Sequence, residues 1–290
     1  ITFDPATGTF AGTPTRDASQ GHTGTDPAGT YRVPVTATDP TGATVTTFVT
    51  FTIGNPAPVA QNDVATVDEN DALNGSVVAD NGNGIDRDGA PDTDPIRVGG
   101  VITGTGVPVD GVGLATPVAG SAGGTFVVQG DGSYVFTQGT AFEDLAPGET
   151  RTTTVTYAIY DDNGGSATAT LALTVTGVND APTLIDPATG LPPVDPATGL
   201  PADPATIALI PGITAQDGAP ITPVAIATFF GDVDTSQGPP ALSVDPAALP
   251  PGITFDPATG TFAGTPTRDA RQGHTGTDPA APYRAPLTAP

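Results

Sequence analysis

The stretch TTTVTYAIYDDNGGSATATLALTVTG (residues 152–177) decides how the fold is read. Its arms, TTTVTYAIYD (152–161) and SATATLALTVTG (166–177), alternate apolar with small polar residues and are rich in Val and Thr. Successive side chains of a strand point to opposite faces, so this alternation describes a strand with one buried face. β-Branched residues suit that pleated surface. The intervening DDNGG (161–165) is turn chemistry, because Asp and Asn bond nearby amides and Gly accepts left-handed backbone. The stretch therefore predicts a long β-hairpin. Working outward, YRVPVTATD (31–39), ATVTTFVTFTIG (43–54), GTFVVQG (124–130) and GSYVFTQ (132–138) repeat the pattern, with GDG (130–132) and DPATG (4–8) as further turns. No segment carries a capped helical period. The expected fold class is all-β, as β-sandwich domains.

Charge narrows the functional classes. The 290 residues carry 31 acidic and 8 basic side chains, a net charge of −23. Nothing in such a chain neutralises a run of phosphates, so nucleic acid is excluded as a partner, and an anionic membrane surface is disfavoured for the same reason. Only Glu69, Glu143 and Glu149 are glutamates; the other 28 acids are Asp. Short carboxylates suit turns, and they also suit loops that converge on a hard cation such as calcium. Cys, Met, Trp and Lys are absent. Lack of Cys removes disulfides, thiolate metal sites and thiol catalysis together. No apolar run is long enough to span a bilayer, and no membrane insertion is expected.

The chain repeats itself. Residues 1–38 align without gaps on 253–290, with 32 of 38 positions identical, and ITFDPATGTFAGTPTRDA opens both copies. This is the mark of a tandem array. Boundaries fall at GNPAPVA (54–60) and GVNDAPT (177–183), each directly after a strand pattern. The expected organisation is a partial domain at 1–54, a complete sandwich at 55–180, and another partial domain at 181–290. The Pro-rich stretch 186–206, which repeats DPATGLP, reads as an extended loop. Residues 1–54 and 181–290 each expose apolar strand edges, which predicts head-to-tail completion. Continuity along one chain is preferred over a neighbouring copy, because two copies cannot fill one slot.

In their order and spacing, PVAQNDVATVDEN, an acidic DxD loop, GDGSYVF, TYAIYDDNGGSATATLALTV and GVNDAP resemble a bacterial cadherin-like or VCBS-type repeat. LPPGITFDPATGTFAGTP and YRVPVTATDPTGATVTTFVTFTI resemble the Ig-like, dystroglycan-type cadherin-like repeat. Both occur in very long surface adhesins and biofilm matrix proteins of Gram-negative bacteria, commonly exported by type I secretion. The resemblance implies tandem Ig-like or cadherin-like β-sandwich domains in an extended array. By the same likeness, 1–54 is the C-terminal part of one Ig-like domain, 55–180 a complete cadherin-like sandwich, and 181–290 the N-terminal and central part of a second Ig-like domain. The resemblance also implies an extracellular or cell-surface location and calcium at domain junctions. It points to Glu69, to Asp86, Asp88, Asp92 and Asp94 in the DxD loop, and to Asp161 and Asp162 in the hairpin turn. Asn179 and Asp180 in the linker, and Asp232 and Asp234 in a GDVD segment, complete the set. A DxD pair on an irregular loop can aim both carboxylates at one ion, whereas the alternative for each Asp is simple turn formation. The first linker, GNPAP, lacks the aspartate of GVNDAP, which predicts a metal-poor junction there unless Asn62 and Asp63 compensate.

No enzyme is expected. His22 and His274 are equivalent copies in QGHTGTD, no G-x-S-x-G occurs, and zinc would need more His or Cys. The functional expectation is a structural or adhesive repeat segment, a calcium-stiffened stalk or filament whose partners are neighbouring repeats and head-to-tail copies. The alternative is a carbohydrate- or protein-binding module with a surface glycan or protein ligand, or an accessory domain of a secreted enzyme.

Overall fold

A computed structural model describes residues 1–89, 94–195, 200–202, 210, 212–267 and 287–288. The described chain is nearly all β, its only helical pieces being four single 3-10 turns. No helix among these residues is long and apolar enough to cross a membrane. It divides into two compact units, Ile1–Phe142 with Thr150–Thr176, and Glu143–Glu149 with Gly177–Pro290.

The first unit begins with two hairpins. Strands β1 (Thr2–Asp4) and β2 (Thr9–Ala11) flank the DPATG turn, and β3 (Thr30–Thr38) pairs antiparallel with β4 (Thr44–Thr52) along its whole length. Asp4 makes the first turn: its carboxylate accepts the Ala6 N–H at 2.9 Å and the Thr7 hydroxyl at 2.8 Å. The Thr7 and Ala6 bonds hold its pKa below the ordinary value. Phe10 of β2 meets Phe51 of β4 edge-on at 5.1 Å, and the Tyr31 hydroxyl donates to Ala18 O at 2.8 Å. The ring contact joins the two hairpins, and the Tyr31 bond ties β3 to the 3-10 turn at Arg16–Ser19.

A two-sheet sandwich follows. Its first sheet has the order β6 (Leu73–Ser76), β10 (Ser133–Thr137), β9 (Thr125–Val128), β8 (Val118–Ala119). Its second has the order β5 (Asp63–Asp68), β12 (Ser166–Thr176), β11 (Thr150–Asp161), β7 (Ile96–Thr103). The hairpin predicted from 152–177 is the β11–β12 pair, in register from Thr150↔Thr176 to Tyr160↔Ser166. Along β12, Ala169, Leu171, Leu173 and Val175 are buried and alternate with half-buried residues, as a single buried face requires. On the other sheet Phe126 and Phe136 are fully buried, their rings tilted at 46° with centroids 4.7 Å apart, so both sheets turn apolar faces to the interior. β5 runs parallel to β12, so the second sheet is mixed. β7 carries a bulge at Gly99, where Ala158 faces Gly100 but Ile159 faces Val98. A Cβ on Gly99 would lie 2.3 Å from Asp110 Oδ1 and 2.6 Å from Tyr160 Cδ2, so a larger residue there would displace those side chains.

The second unit has shorter strands. β13 (Thr183–Leu184) pairs with β15 (Phe230–Gly231), and β14 (Val224–Ala225) joins β18 (Thr261–Gly264) and β17 (Ile253–Asp256). β16 (Ser243–Val244) pairs with β19 (Leu287–Thr288). Ile221, Ile226, Leu242 and Phe262 form a small core, with Phe229, Val244, Ile253 and Phe255 packed around it. Within 186–206, the described residues form isolated bridges, Asp186↔Leu191 and Val194↔Pro201, rather than strands; residues 196–199 and 203–206 lie outside the described set.

Candidate metal centres

Two acidic groupings take shape, one in each unit. In the first, the β11–β12 turn, the loop before β7 and the linker after β4 supply the side chains. Asp161 Oδ1 accepts the N–H groups of Asn163 at 2.9 Å and Gly165 at 2.7 Å, while Oδ2 accepts Asn55 Nδ2 at 2.8 Å. One carboxylate thus ties the hairpin turn to the linker. Val59 and Arg87 exchange backbone hydrogen bonds at 2.7 and 3.1 Å, which pins the loop to the same linker. Asp88 Oδ2 accepts the Asp94 N–H at 3.0 Å, and Asp94 receives the Asn163 amide and the Arg16 guanidinium, the latter at 2.5 Å. Asp88, Asp94 and Asp161 are all buried. Asp88 Oδ1 and Asn55 Oδ1 are buried there with no hydrogen-bond donor.

The DxD segment does not act as one pincer. Asp86 points elsewhere: its Oδ1 accepts the Gln61 N–H at 2.5 Å and its Oδ2 the Tyr157 hydroxyl at 2.8 Å. The reading that both carboxylates aim at one ion is corrected by these partners. Asp86 belongs instead to a buried network in which Tyr157 also meets Asp63 Oδ2 at 2.7 Å, and Asn81 donates to Asp63 Oδ1 at 2.5 Å. Burial pushes Asp63 up to about 6, and pushes Asp86 and the Tyr157 hydroxyl up as well. The idea that Asn62 and Asp63 serve the first linker also gives way. Asn62 accepts from Thr170, and Asp63 faces Tyr157. Of the remaining expected residues, Asp162 is exposed and Asp92 lies outside the described residues, as does His274. Glu69 follows β5, where its N–H donates to Thr176 O at 2.9 Å, and is only 2% exposed.

In the second unit, the β13–β15 pairing brings the chain around Asp180 alongside the GDVD segment. Asp234 is fully buried. Its Oδ2 accepts the Asp180 N–H at 3.1 Å and Gln237 Nε2 at 2.8 Å, and its own N–H donates to Asp232 Oδ1 at 3.1 Å. Asp180 Oδ2 and Asp234 Oδ1 are buried without a donor. Burial raises the Asp180 pKa, and the charges of Asp234 and Asp232 raise it further. Asn179 is exposed, and its Nδ2 donates to Asp180 O at 2.9 Å.

Chemically these residues fit a hard cation. A buried carboxylate oxygen without a donor costs on the order of a few kcal/mol, and three carboxylates crowded together repel. Calcium relieves both, since it is held by six to eight oxygens drawn from carboxylates, amides and carbonyls. Asp180, Asp232 and Asp234 are the residues of the second unit that would hold it; Asn55, Asp88, Asp94 and Asp161 are those of the first. In the first grouping Arg16 already supplies a positive charge to Asp94. Asn55, at the head of the linker, escaped the sequence reading; its signal was its place one residue after the Gly54 that ends the strand pattern.

Family models find cadherin-like and Ig-like repeat domains along this all-β chain. Residues 55–177 match the family model of the bacterial cadherin-like domain, and residues 203–277 match that of the "Putative Ig domain". No curated protein matches the chain. Solved structures similar to it include cadherin domains 3–6 of protocadherin gamma B2, at 17% identity and a TM-score of 0.33, covering 82% of this chain and 51% of that one. Mouse protocadherin-24 domains 1–3 align at 12% identity and a TM-score of 0.33, covering 84% and 68%. Drosophila N-cadherin domains 1–4 align at 15% identity and a TM-score of 0.26, covering 83% and 50%. The chain thus spans about half the length of the protocadherin gamma B2 fragment.

Proposed function

We propose that this chain is a repeat segment of a large extracellular bacterial surface protein, a calcium-stiffened stalk or filament in cell adhesion or biofilm matrix. The observation that carries this reading is the pair of donorless, buried oxygens, Asp180 Oδ2 and Asp234 Oδ1, set beside a third carboxylate, Asp232. Such a grouping is unfavourable without a cation and favourable with one. The near-identical copies at 1–38 and 253–290 support a stalk, which gains from repetition where a catalyst does not. Neighbouring repeats are its partners, Gram-negative export by type I secretion is its route to the surface, and catalysis has no place in the segment.

The test is calorimetric titration of metal-stripped protein with calcium and with magnesium, alongside thermal melts. Calcium is expected to raise the melting temperature, and Asp234→Asn to weaken calcium binding at least tenfold. Melting curves that are identical in excess calcium and in excess chelator would sink the reading.

A further inference from the structure

The first acidic grouping already contains a cation, and that cation comes from outside the sandwich. Arg16 stands in the single 3-10 turn at Arg16–Ser19, between β2 and β3. Its Nε lies 2.5 Å from Asp94 Oδ1. The Asp94 side chain is 1% exposed and that of Arg16 51%, so the guanidinium reaches inward from the surface to a carboxylate sealed from water. Its contact to Asp17 on its own turn is longer, at 3.4 Å. Gln20, directly after the turn, donates from Nε2 to Asn163 O at 3.1 Å. Asn163 in its turn donates its side-chain amide to Asp94. The 3-10 turn is fixed from behind: Tyr31 donates to Ala18 O at 2.8 Å, and the Gly29 N–H donates to Gly21 O at 2.7 Å. Residues 16–20 therefore form a strap from the first hairpins to the acidic turn of the sandwich.

The two groupings differ in their charge balance. In the first, Asp88, Asp94 and Asp161 meet one arginine. In the second, Asp180, Asp232 and Asp234 stand in a stretch, residues 177–267, that contains no Lys, Arg or His. Buried carboxylates need a counter-charge. Arginine, always protonated and weakly hydrated, is the side chain suited to supply it. Arg16 does not exhaust the first grouping, however. Asp88 is 6% exposed and its Oδ1 has no donor, nor has Asn55 Oδ1. A divalent ion held by Asn55, Asp88, Asp94 and Asp161 would meet the guanidinium at Asp94 Oδ1, and two cations at one oxygen repel.

We infer that Arg16 is the resident cation of the first acidic grouping: it straps residues 16–20 to the sandwich when no metal is bound, and it competes with calcium for Asp94. The first grouping then holds without metal and binds calcium more weakly than it would with the guanidinium removed. The second grouping, with no basic side chain among the described residues of its unit, depends on the metal itself. The repeat carries the same two strap residues, since Arg16 and Gln20 match Arg268 and Gln272, which lie outside the described residues. The inference deepens the calcium reading above, and its metal-free half stands apart from that reading.

Arg16→Gln tests both halves in the full chain, removing the charge at nearly constant length from a half-exposed side chain. The first arm is hydrogen exchange in excess chelator. Peptides covering residues 16–20, Asp94 and Asn163 are expected to exchange at least fivefold faster in the variant, with β5 and β12 unchanged. Arg32→Gln, whose guanidinium lies over Phe48 at 4.7 Å, is the control and is expected to leave those peptides as in the parent. The second arm is calorimetric calcium titration on an Asp234→Asn background, which removes a carboxylate of the second grouping. Adding Arg16→Gln is expected to tighten calcium binding at the first grouping at least fivefold, because the ion no longer displaces a tethered cation. A merely structural contact gives the opposite sign, weaker binding to a loosened site. Exchange in chelator that Arg16→Gln leaves unchanged, or calcium binding that it leaves unchanged or weakens, overturns the inference. Should neither chain bind calcium, the calcium reading fails and the exchange arm alone decides whether Arg16 is the resident cation.

Discussion

Asp63→Asn is expected to stabilise the cadherin-like sandwich at neutral pH, against the usual cost of changing a buried polar residue. The Tyr157 oxygen is surrounded by four acceptors: Asp63 Oδ2 at 2.7 Å, Gln61 O and Asp86 Oδ2 at 2.8 Å, and Val77 O at 3.0 Å. A phenol has one proton to donate. Two ionised carboxylates around it are therefore under-supplied, and a proton on Asp63 completes the network. Burial accordingly lifts Asp63 from 3.8 to about 6. Between these values the folded state binds more protons than the unfolded one, so stability is full below pH 4 and is lost as pH rises through 6. A shift of about 2 units corresponds to roughly 3 kcal/mol. Asparagine supplies a permanent donor to the Tyr157 oxygen and keeps an acceptor for Asn81. The variant should match the parent near pH 4 and exceed it at pH 7 by about 2–3 kcal/mol, or roughly 5–10 °C in melting temperature. Urea and thermal unfolding between pH 4 and 7, followed by near-ultraviolet circular dichroism of the tyrosines, measures this. A variant less stable than the parent at pH 7, or a difference that does not change with pH, refutes the proton count.

Phe126→Ala, at the fully buried centre of the sandwich, should cost about 3–5 kcal/mol in urea unfolding. Asp161→Ala removes the acceptor for Asn163, Gly165 and Asn55; hydrogen exchange should rise at residues 54–60 and 162–165 together. Gly260→Ala should destabilise more than Gly8→Ala by at least about 1 kcal/mol, since both incur positive-φ strain but only Gly260 also lies under Ala227 and Leu242. Arg97→Ala breaks a bidentate contact to Asp110 at 2.7 Å, but both groups are half-exposed, so the loss should stay under about 1 kcal/mol and vanish in high salt.

Strand identity was largely legible because its signal is local. Alternation along 152–161 and 166–177, with Gly and Asp between, is sufficient for the β11–β12 pair, and 31–39 with 43–54 for β3–β4. β7 was not among the strand patterns: Gly99 and Gly100 interrupt the alternation, and they form a bulge beside Asp110 and Val109. The parallel placement of β5 beside β12 was equally hidden, since nothing local records a partner about a hundred residues away.

The acidic residues divide along the same line. The sequence by itself determined that carboxylates would crowd certain turns, because Asp, Asn and Gly cluster there for local steric and hydrogen-bonding reasons. Only the tertiary structure decided what each one faces. Asp86 and Asp88 are two residues apart, yet Asp86 turns to Tyr157, 71 positions away, while Asp88 turns to the Asp94 amide and keeps one oxygen without a donor. The same holds for the matching hairpins at Thr2–Ala11 and Thr254–Ala263: Phe10 of one meets Phe51 of β4, while Phe262 of the other is buried beside Ile226 and Leu242. Turn geometry depends on neighbours in the chain; desolvation depends on whichever distant segment lies above. The second quantity is what separates a turn aspartate from a cation ligand, and an exposed edge from a core.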